Sequence, residues 1–289
     1  MSDPTRWLIT GAGGQLGTDL RAALAGEDVH PLRRADLDIA DAAAVAGVIA
    51  HVRPDVVVNA AAYTAVDAAE SDENAAYRVN AAGPAVLAAA LSGTAAWLIH
   101  VSTDYVFPGD ASRPYEVGDS TGPKSAYGRT KLAGEIAVRE LLPEASYVVR
   151  TAWVYGATGK NFVKTMIRLE REHETVSVVD DQRGSPTWSA DLALGLVAQG
   201  RSAAPPGIYH CTNSGDTTWF GFTQAIFEEL ATDPARVRPT TTDAFPRPAP
   251  RPAYSVLSDA ASRTVGLRPL PHWRDALHRA FAAGAFREG

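Results

Sequence analysis

The sequence contains very little cysteine. Cys211 is the single cysteine among 289 residues, so no disulfide can form within the chain. A reducing compartment is therefore allowed. Because Cys211 lies at the end of a predicted strand, residues 207–211, we interpret it as a buried structural thiol.

Long apolar runs are also missing. No segment approaches the ~18 consecutive apolar residues that a membrane-spanning helix requires. The apolar residues 7–10 run directly into glycines, which is too short for the apolar part of a signal peptide. We therefore expect a cytoplasmic protein that has no membrane partner.

Positive charge is scarce as well. The chain has 27 Lys and Arg against 33 Asp and Glu, a net charge of −6, and no basic stripe. This charge balance argues against a nucleic-acid partner. No internal repeat is present, and the hydrophobic content of 46% is ordinary for a globular protein. The length suffices for one large domain with a smaller one.

A glycine-rich loop follows the first predicted strand. Gly11, Gly14 and Gly17 fit the spacing G-x-x-G-x-x-G, and a predicted helix follows over residues 18–24. Strand, glycine loop and helix form the context of a dinucleotide site, because a pyrophosphate can approach the backbone at a helix N-terminus. A plain strand-to-helix turn is the alternative, and the glycine spacing favours nucleotide binding.

The end of the second predicted strand, residues 29–32, indicates the cofactor. A basic residue at this position accommodates the 2′-phosphate of NADP, whereas an acidic one favours NAD. The chain has Arg33 and Arg34 here, so we expect NADPH, with NADH as the alternative. Two arginines in an ordinary surface loop would give the same pattern.

Strands and helices alternate through the first half of the chain, which predicts an α/β fold with a Rossmann-like, doubly wound parallel sheet. We predict a cofactor-binding domain over residues 1–155. Residues 156–289 would form a smaller, mainly substrate-binding α/β domain, partly woven back into the first.

The remaining elements are predicted from the same patterns. Other predicted strands are 56–59, 96–101, 146–150 and 175–179. Predicted helices are 42–52, 73–91 with a kink at Gly83-Pro84, 127–142, 161–173, 189–199, 218–230 and 273–281, and residues 181–187 are predicted to form a loop.

Tyr127 and Lys131 are four residues apart at the start of a predicted helix, so they share one helix face. A phenol titrates near ~10, and a neighbouring ammonium lowers that pKa. The pair therefore suits proton transfer to a carbonyl or alcohol. Taken alone, such a Tyr and Lys pair more often arises by chance among the surface residues of a helix. Thr103, at the end of another predicted strand, would reach the same rim and supplies a third polar group.

Several motifs, in order along most of the chain, resemble the dTDP-4-dehydrorhamnose reductase family of extended short-chain dehydrogenases. The glycine loop and Tyr-x-x-x-Lys are common to the superfamily, whereas STDYVF, RTAWVYG and DQxGxPT together are more specific. The motifs are GAGGQLG at 11–17, RPDVVVNAAAYTAVDAAE at 53–70, VSTDYVF at 101–107, YGRTKLAGE at 127–135, RTAWVYG at 150–156, NFVKTM at 161–166 and DQRGSPT at 181–187.

The resemblance implies reduction of the C4 ketone of dTDP-4-dehydrorhamnose to dTDP-L-rhamnose with NADPH, the last step of dTDP-rhamnose biosynthesis. Tyr127 would donate a proton to O4, Lys131 would bind the nicotinamide ribose and lower the Tyr127 pKa, and Thr103 would bond the ketone oxygen. Residues implied to surround the cofactor are Gly14, Gln15 and Leu16 at the pyrophosphate, Asp38 and Ile39 at the adenine, and Ala62, Tyr63 and Thr64 at the ribose.

The resemblance also implies a set of substrate contacts. Asp104 would lie on the sugar, although a turn or cap residue is the alternative. Val66 and Trp153 would line the sugar pocket, with a core tryptophan as the alternative for Trp153. Apart from the resemblance, the chemistry of Arg247 and Arg251 suggests that they meet the diphosphate, because a dianionic ligand suits arginine forks; the alternative is that the proline-rich segment 245–252 simply exposes them. Asn80, otherwise a surface residue, would brace the backbone of the site.

Some members of this family form dimers around Mg²⁺ held by glutamates. The comparable positions here are Asp19 and Asp191, each one methylene shorter, and no matching C-terminal glutamate is evident. We therefore predict no metal site, and either a monomer or a homodimer.

Three other functions are compatible with the same residues. One is a 4-ketoreductase for another nucleotide-linked deoxysugar, and a second is an NAD-dependent sugar epimerase. The third, a non-catalytic nucleotide-binding regulatory subunit, would not need Thr103, Tyr127 and Lys131.

Overall fold

A six-stranded parallel sheet forms the centre of the computed structural model, which describes residues 5–287. Its strands are β1 (Arg6–Thr10), β2 (Asp28–Leu32), β3 (Val56–Asn59), β4 (Trp97–Thr103), β5 (Ser146–Thr151) and β10 (Gly207–His210). Four short strands lie between β5 and β10 in the chain and belong to smaller sheets: β6 (Val154–Tyr155), β7 (Val176–Val179), β8 (Arg183–Gly184) and β9 (Thr187–Trp188). The spatial order is β10-β5-β4-β3-β1-β2.

Helices cover both faces of this sheet. Alternate residues of β1 point to opposite faces, so Trp7 and Ile9 join one apolar core while Leu8 joins the other. The predicted doubly wound α/β fold is confirmed. The helices are α1 (Gln15–Ala23), α2 (Ala42–Val52), α3 (Val66–Ala69), α4 (Glu73–Tyr77), α5 (Gly83–Leu91), α6 (Ala126–Leu141), α7 (Phe162–Glu172) and α8 (Ser189–Gly200).

The strand order places a ligand crevice between β1 and β3. The chain leaves β1 for β2 on one side and returns to β3 on the other, so this is where the winding reverses. In open α/β sheets, ligands bind at the carboxyl ends of the strands at such a reversal. The loop that begins at Gly11 and the segment beginning at Ala60 leave the sheet at this edge.

The second half of the chain builds its own apolar core, yet it also joins the first. The short elements that complete it are β11 (Asn213–Ser214), β12 (Thr217–Thr218), α9 (Trp219–Glu229), β13 (Val237–Thr240), α10 (Ala260–Thr264), β14 (Leu270–His272) and α11 (Trp273–Ala282). Strand β10 pairs with β5 in the main sheet, and α8 packs against α1. The division at residue 155 stays a prediction. Within residues 5–287, no helix is long and apolar enough to cross a membrane.

Several predicted element boundaries were wrong for local reasons. Helix α1 begins at Gln15 rather than residue 18, because Gly14 already caps it. The predicted helix 73–91 is interrupted by a π-helical turn, Arg78–Ala82, and Pro84 lies in the first turn of α5, where it breaks no hydrogen bond. The predicted loop 181–187 contains β8, which pairs with β12, and the start of β9.

A buried ion pair fixes α6 against the sheet. Arg150 of β5 donates from Nη2 to Glu135 Oε2 at 2.7 Å and from Nε to Oε1 at 3.0 Å, and both side chains are 2% exposed. Ser102 of β4 donates to the same carboxylate at 2.5 Å. One carboxylate on the helix thus binds two adjacent strands.

We expect Arg150→Met to lower the free energy of unfolding by about 3–5 kcal/mol, because it leaves the Glu135 carboxylate buried without a cation. The matched control is Arg168→Met, which breaks an exposed pair with Glu172 and should change stability by less than about 1 kcal/mol. Urea denaturation of the two variants measures the difference. Equal destabilisation by both substitutions would contradict this account of α6.

Candidate active site

The glycine loop between β1 and α1 forms an open cradle. Gly11 has φ +70°, and a Cβ on Gly17 would lie 2.3 Å from the Gly11 carbonyl oxygen, so side chains at these positions would disrupt the turn. Gly14 caps α1 without a side-chain hydrogen bond. The first backbone N–H groups of this nine-residue helix therefore suit a pyrophosphate. Leu16 packs into the core, and Gln15 accepts a hydrogen bond from Asn161 at 3.0 Å.

The adenine end of the cradle carries Arg33. The Arg33 side chain passes over Gly13, so that a Cβ added to Gly13 would lie 3.3 Å from Arg33 Cγ. The Arg33 side chain is 67% exposed. Asp36 accepts from Arg33 Nε at 3.0 Å and from the Arg33 backbone N–H at 2.9 Å. The guanidinium is therefore held beside the glycine loop, and it would supply the positive charge that a 2′-phosphate requires. These residues fit NADPH.

The neighbouring residues of the adenine region are also held in place. Asp38 accepts a hydrogen bond from Arg78 at 2.6 Å, which is the main reason that its pKa is lowered. Ile39 is buried against Gly83, where any Cβ would clash with it. The partner Arg78 lies on the π-helical turn, and no spacing in the sequence pointed to it.

Asn80 clamps the segment after β3. Its side chain is 0% exposed, accepts from the Tyr63 backbone N–H at 2.8 Å, and donates to the Tyr63 carbonyl at 3.1 Å and to Thr130 at 3.2 Å. The predicted bracing role thus corresponds to visible hydrogen bonds. The clamp fixes the loop that contains Ala62, Tyr63 and Thr64 beside α6.

The start of α6 brings Tyr127 to the end of β4. Ser125 caps the helix by accepting from Gly128 N at 3.1 Å. A Cβ on Gly128 would lie 2.3 Å from the Tyr105 carbonyl oxygen, so the helix approaches the turn after β4 very closely. The Tyr105 ring meets the Tyr127 ring edge-on, with 5.5 Å between centroids.

The polar groups around Tyr127 are nearly all buried. Lys131 donates from Nζ to the Val101 carbonyl at 2.6 Å. Thr103 donates from Oγ1 to Asp104 Oδ1 at 2.9 Å. The other carboxylate oxygen of Asp104 is buried and makes no well-formed hydrogen bond within residues 5–287, although the Ser255 hydroxyl interacts with this carboxylate. The structure thus brings together the predicted catalytic residues and one predicted sugar contact.

Burial is the main influence on the protonation of these groups. Burial raises the pKa of Tyr127 to about 12; the Thr103 side chain opposes this rise and the Asp104 charge adds to it. Lys131 is not among the groups that shift the pKa of Tyr127, and its ammonium donates to the Val101 carbonyl. Burial lowers the pKa of Lys131 to about 8 and raises that of Asp104 to about 6. Tyr127 is therefore a protonated acid at neutral pH.

A cavity of about 740 Å³ lies between α7, β7 and the proline-rich segment 245–251. Arg247 and Arg251 both line it, and Arg251 donates to Asp67 at 2.9 Å. Asp67 is a residue that sequence reasoning missed, whereas its neighbour Val66 is not part of the lining. Trp219 lines the cavity, with Trp153 stacked against it rather than lining it.

The two aspartates at the family's metal positions do not fit Mg²⁺. Asp191 Oδ2 accepts from Arg279 at 2.5 Å and from Asn213 at 2.8 Å, so the carboxylate is already neutralised by a guanidinium. Asp19 bonds Ser189, and burial raises its pKa, which disfavours the charged form that Mg²⁺ requires. Over residues 5–287, no three His, Cys, Asp or Glu side chains cluster as a metal site.

Comparison with known proteins identifies the family. The profile of the RmlD substrate binding domain matches residues 5–285. A dTDP-4-dehydrorhamnose reductase from Streptomyces griseus is 54% identical, covering 98% of this chain and 95% of the relative. A protein from Streptomyces antibioticus, named as a probable dTDP-4,6-dihydroxy-2-methyloxan-3-one 4-ketoreductase, is 53% identical, covering 96% and 94%.

A solved structure agrees with these relatives. The dTDP-4-dehydrorhamnose reductase from Bacillus anthracis, in complex with NADP, superposes with a TM-score of 0.93 at 40% identity, covering 97% of this chain and 99% of that one. The resemblance seen in the motifs is thus confirmed, and the chain belongs to the RmlD substrate-binding domain family.

Proposed function

We propose that this protein reduces the C4 ketone of dTDP-4-dehydrorhamnose to dTDP-L-rhamnose with NADPH. The Streptomyces griseus and Bacillus anthracis relatives, both named for this activity, support the substrate, and the NADP complex supports the cofactor. The observation that carries the proposal is the position of Tyr127, which lies at the start of α6 against the end of β4, at the sheet edge that also carries the glycine loop.

In the proposed reduction, Thr103, Tyr127 and Lys131 each have a separate role. NADPH supplies the hydride to C4 when it is bound at the glycine loop. Thr103 orients the ketone by a hydrogen bond to O4. Tyr127 transfers its proton to O4 as negative charge develops there, which converts the carbonyl to a hydroxyl and leaves a phenolate. Lys131 places a positive charge on the same helix face one turn away, and the phenolate regains a proton from solvent.

The cavity beside Tyr105 suits the rest of the substrate. Its volume of about 740 Å³ lies in the usual range for small-molecule sites. Arg247 and Arg251 would bind the diphosphate. Arg251 forms an ion pair with Asp67, and the more strongly charged diphosphate would compete with Asp67 for its guanidinium. We also propose a cytoplasmic location, and either a monomer or a homodimer.

A second candidate is a 4-ketoreductase for a different dTDP-deoxysugar. The Streptomyces antibioticus relative favours it, because its 53% identity equals that of the dTDP-4-dehydrorhamnose reductase from Mycobacterium tuberculosis. The decisive experiment supplies dTDP-4-dehydrorhamnose and follows NADPH and NADH oxidation separately, with the product sugar identified. Stoichiometric oxidation that yields dTDP-L-rhamnose supports the proposal. No oxidation would contradict it, and a retained cofactor with an epimerised sugar would indicate an epimerase.

We expect Tyr127→Phe to lower kcat by about 10²–10⁴-fold, because it removes the general acid. NADPH binding, measured by fluorescence titration, should remain near the wild-type level. The control is Tyr77→Phe, which removes an exposed phenol and should have no effect. Near-wild-type turnover by Tyr127→Phe would refute the role assigned to Tyr127.

We expect Arg33→Ala to raise the KM for NADPH by about tenfold or more, because a charge-assisted contact to the 2′-phosphate is lost. The KM for NADH should change much less, since NADH has no such phosphate. Arg21→Ala, an exposed arginine on α1, is the control. Steady-state kinetics with both cofactors measures the outcome, and equal effects on the two KM values would remove the basis for this assignment.

A further inference from the structure

Arg78 links two loops at the carboxyl edge of the main sheet. It is the first residue of the π-helical turn Arg78–Ala82, and its Nη2 donates to Asp38 Oδ2 at 2.6 Å across 40 positions of the chain. Asp38 belongs to the loop after β2, residues 33–41. The same turn carries Asn80, which clamps Tyr63 in the segment after β3. One short turn is therefore bonded to the loops that follow β2 and β3.

These two loops flank the glycine loop. Strand β1 lies between β2 and β3, so the loops that follow these three strands leave the same sheet edge side by side. A dinucleotide whose pyrophosphate lies on the glycine loop directs its adenosine half toward the end of β2, because the residue that distinguishes NADP from NAD lies there. The pair of Arg78 and Asp38 therefore connects the two sides of the crevice in its adenosine half.

The contact next to this pair is tightly packed. Ile39 is buried, and a Cβ on Gly83 would lie 2.5 Å from Ile39 Cδ1, so the loop after β2 touches the start of α5 here. Asp38 and Arg78, in contrast, are both about half exposed. The buried contact fixes the loop, and the ion pair lies at the accessible rim beside it.

The ion pair holds the guanidinium of Arg78 but leaves most of it free. Among the hydrogen bonds of residues 5–287, the bond to Asp38 is the only one that the Arg78 side chain makes. Asp38 is itself fixed, because its Oδ1 accepts from the backbone N–H of Ala40 at 3.0 Å. Such an exposed pair adds less than about 1 kcal/mol to stability, so its main effect is on the orientation of the guanidinium. No aromatic ring of the described chain stacks on that group.

We propose that Arg78 is a cofactor-binding residue whose guanidinium packs flat on the adenine ring of NADPH. A planar, delocalised guanidinium stacks on aromatic rings, and a carboxylate that holds one edge leaves such a face available. This inference rests on the proposed function only in taking a nicotinamide dinucleotide as the cofactor. Arg33 then binds the 2′-phosphate from one side of the crevice, whereas Arg78 binds the base from the other.

Titration of the protein with each cofactor tests the contact. Arg78→Met keeps a long, flexible side chain but removes the planar cation, so the Kd of NADPH, measured by fluorescence, should rise about five- to tenfold. The Kd of NADH should rise by the same factor, because both cofactors carry the adenine. The kcat at saturating NADPH should stay within about twofold of wild type, since the adenine takes no part in hydride transfer.

Arg201→Met is the matched control. It breaks an exposed ion pair of the same length, 2.6 Å, between Arg201 and Glu27, which precedes β2 at the other edge of the sheet. Both Kd values should stay at the wild-type level in this variant. Thermal melting of each variant shows whether the fold is intact.

Arg78→Lys separates stacking from charge. A lysine can still pair with Asp38, but its ammonium has no flat face, so both Kd values should remain at least about threefold above wild type. Wild-type affinity in Arg78→Lys would overturn the stacking. ADP-ribose, which has the adenine but no nicotinamide, should lose affinity for Arg78→Met by the same factor as NADPH, and an unchanged affinity for ADP-ribose would overturn the assignment to the base.

Two further outcomes of the titrations would also overturn this inference. Unchanged Kd values for both cofactors in Arg78→Met would show a surface ion pair and nothing more, and a rise for NADPH alone would place Arg78 at the 2′-phosphate. The titrations contain no sugar nucleotide, so they do not depend on the identity of the sugar. A protein that binds NADPH but does not reduce dTDP-4-dehydrorhamnose would contradict the proposed function and not the contact between Arg78 and the adenine.

Discussion

The buried contact between Glu135 and Arg150 positions the helix that carries the candidate active site. Helix α6 carries Tyr127 and Lys131, one turn apart, and Glu135 is a further turn along the same face. The Glu135 carboxylate binds Arg150 of β5 and Ser102 of β4. A buried ion pair is a poor source of net stability compared with apolar packing, but its directional hydrogen bonds fix orientation. Here they set the rotation of α6 against the strands that end in Thr103 and Thr151.

Two glycines let α6 come close enough for that contact. A Cβ on Gly134 would lie 2.1 Å from the Asn80 carbonyl oxygen, and one on Gly128 would lie 2.3 Å from the Tyr105 carbonyl oxygen. Larger residues would push the helix away from both segments. The close approach also lets Thr130 accept a hydrogen bond from Asn80, which clamps Tyr63. Positioning of the site therefore depends on small residues as much as on polar ones.

The sequence predicts the sheet and much of the candidate site because their signals are local. Apolar strands and glycine spacing are visible in short windows, and the carboxyl ends of parallel strands meet at one edge, so Thr103 and Tyr127 were expected to meet. The contacts that were missed join distant residues. Asp67 and Arg251 are 184 positions apart, and nothing local to either indicates the other. Trp219 is indistinguishable from a core residue in an apolar helix pattern until the cavity is seen.

The pKa of Tyr127 shows that two residues on one helix face need not influence each other's protonation as their spacing predicts. Spacing places Lys131 on the same face as Tyr127, but it does not show where a four-carbon side chain ends, and here the ammonium bonds the Val101 carbonyl. Burial then dominates, and the pKa of the phenol rises to about 12. For a reductase this direction is useful, because a phenol that stays protonated is ready as the acid. An alkoxide is a stronger base than this phenolate, so the proton moves to O4 only as hydride arrival builds negative charge there. In the mechanism proposed above, the buried phenol of Tyr127 would therefore release its proton only as hydride reaches C4.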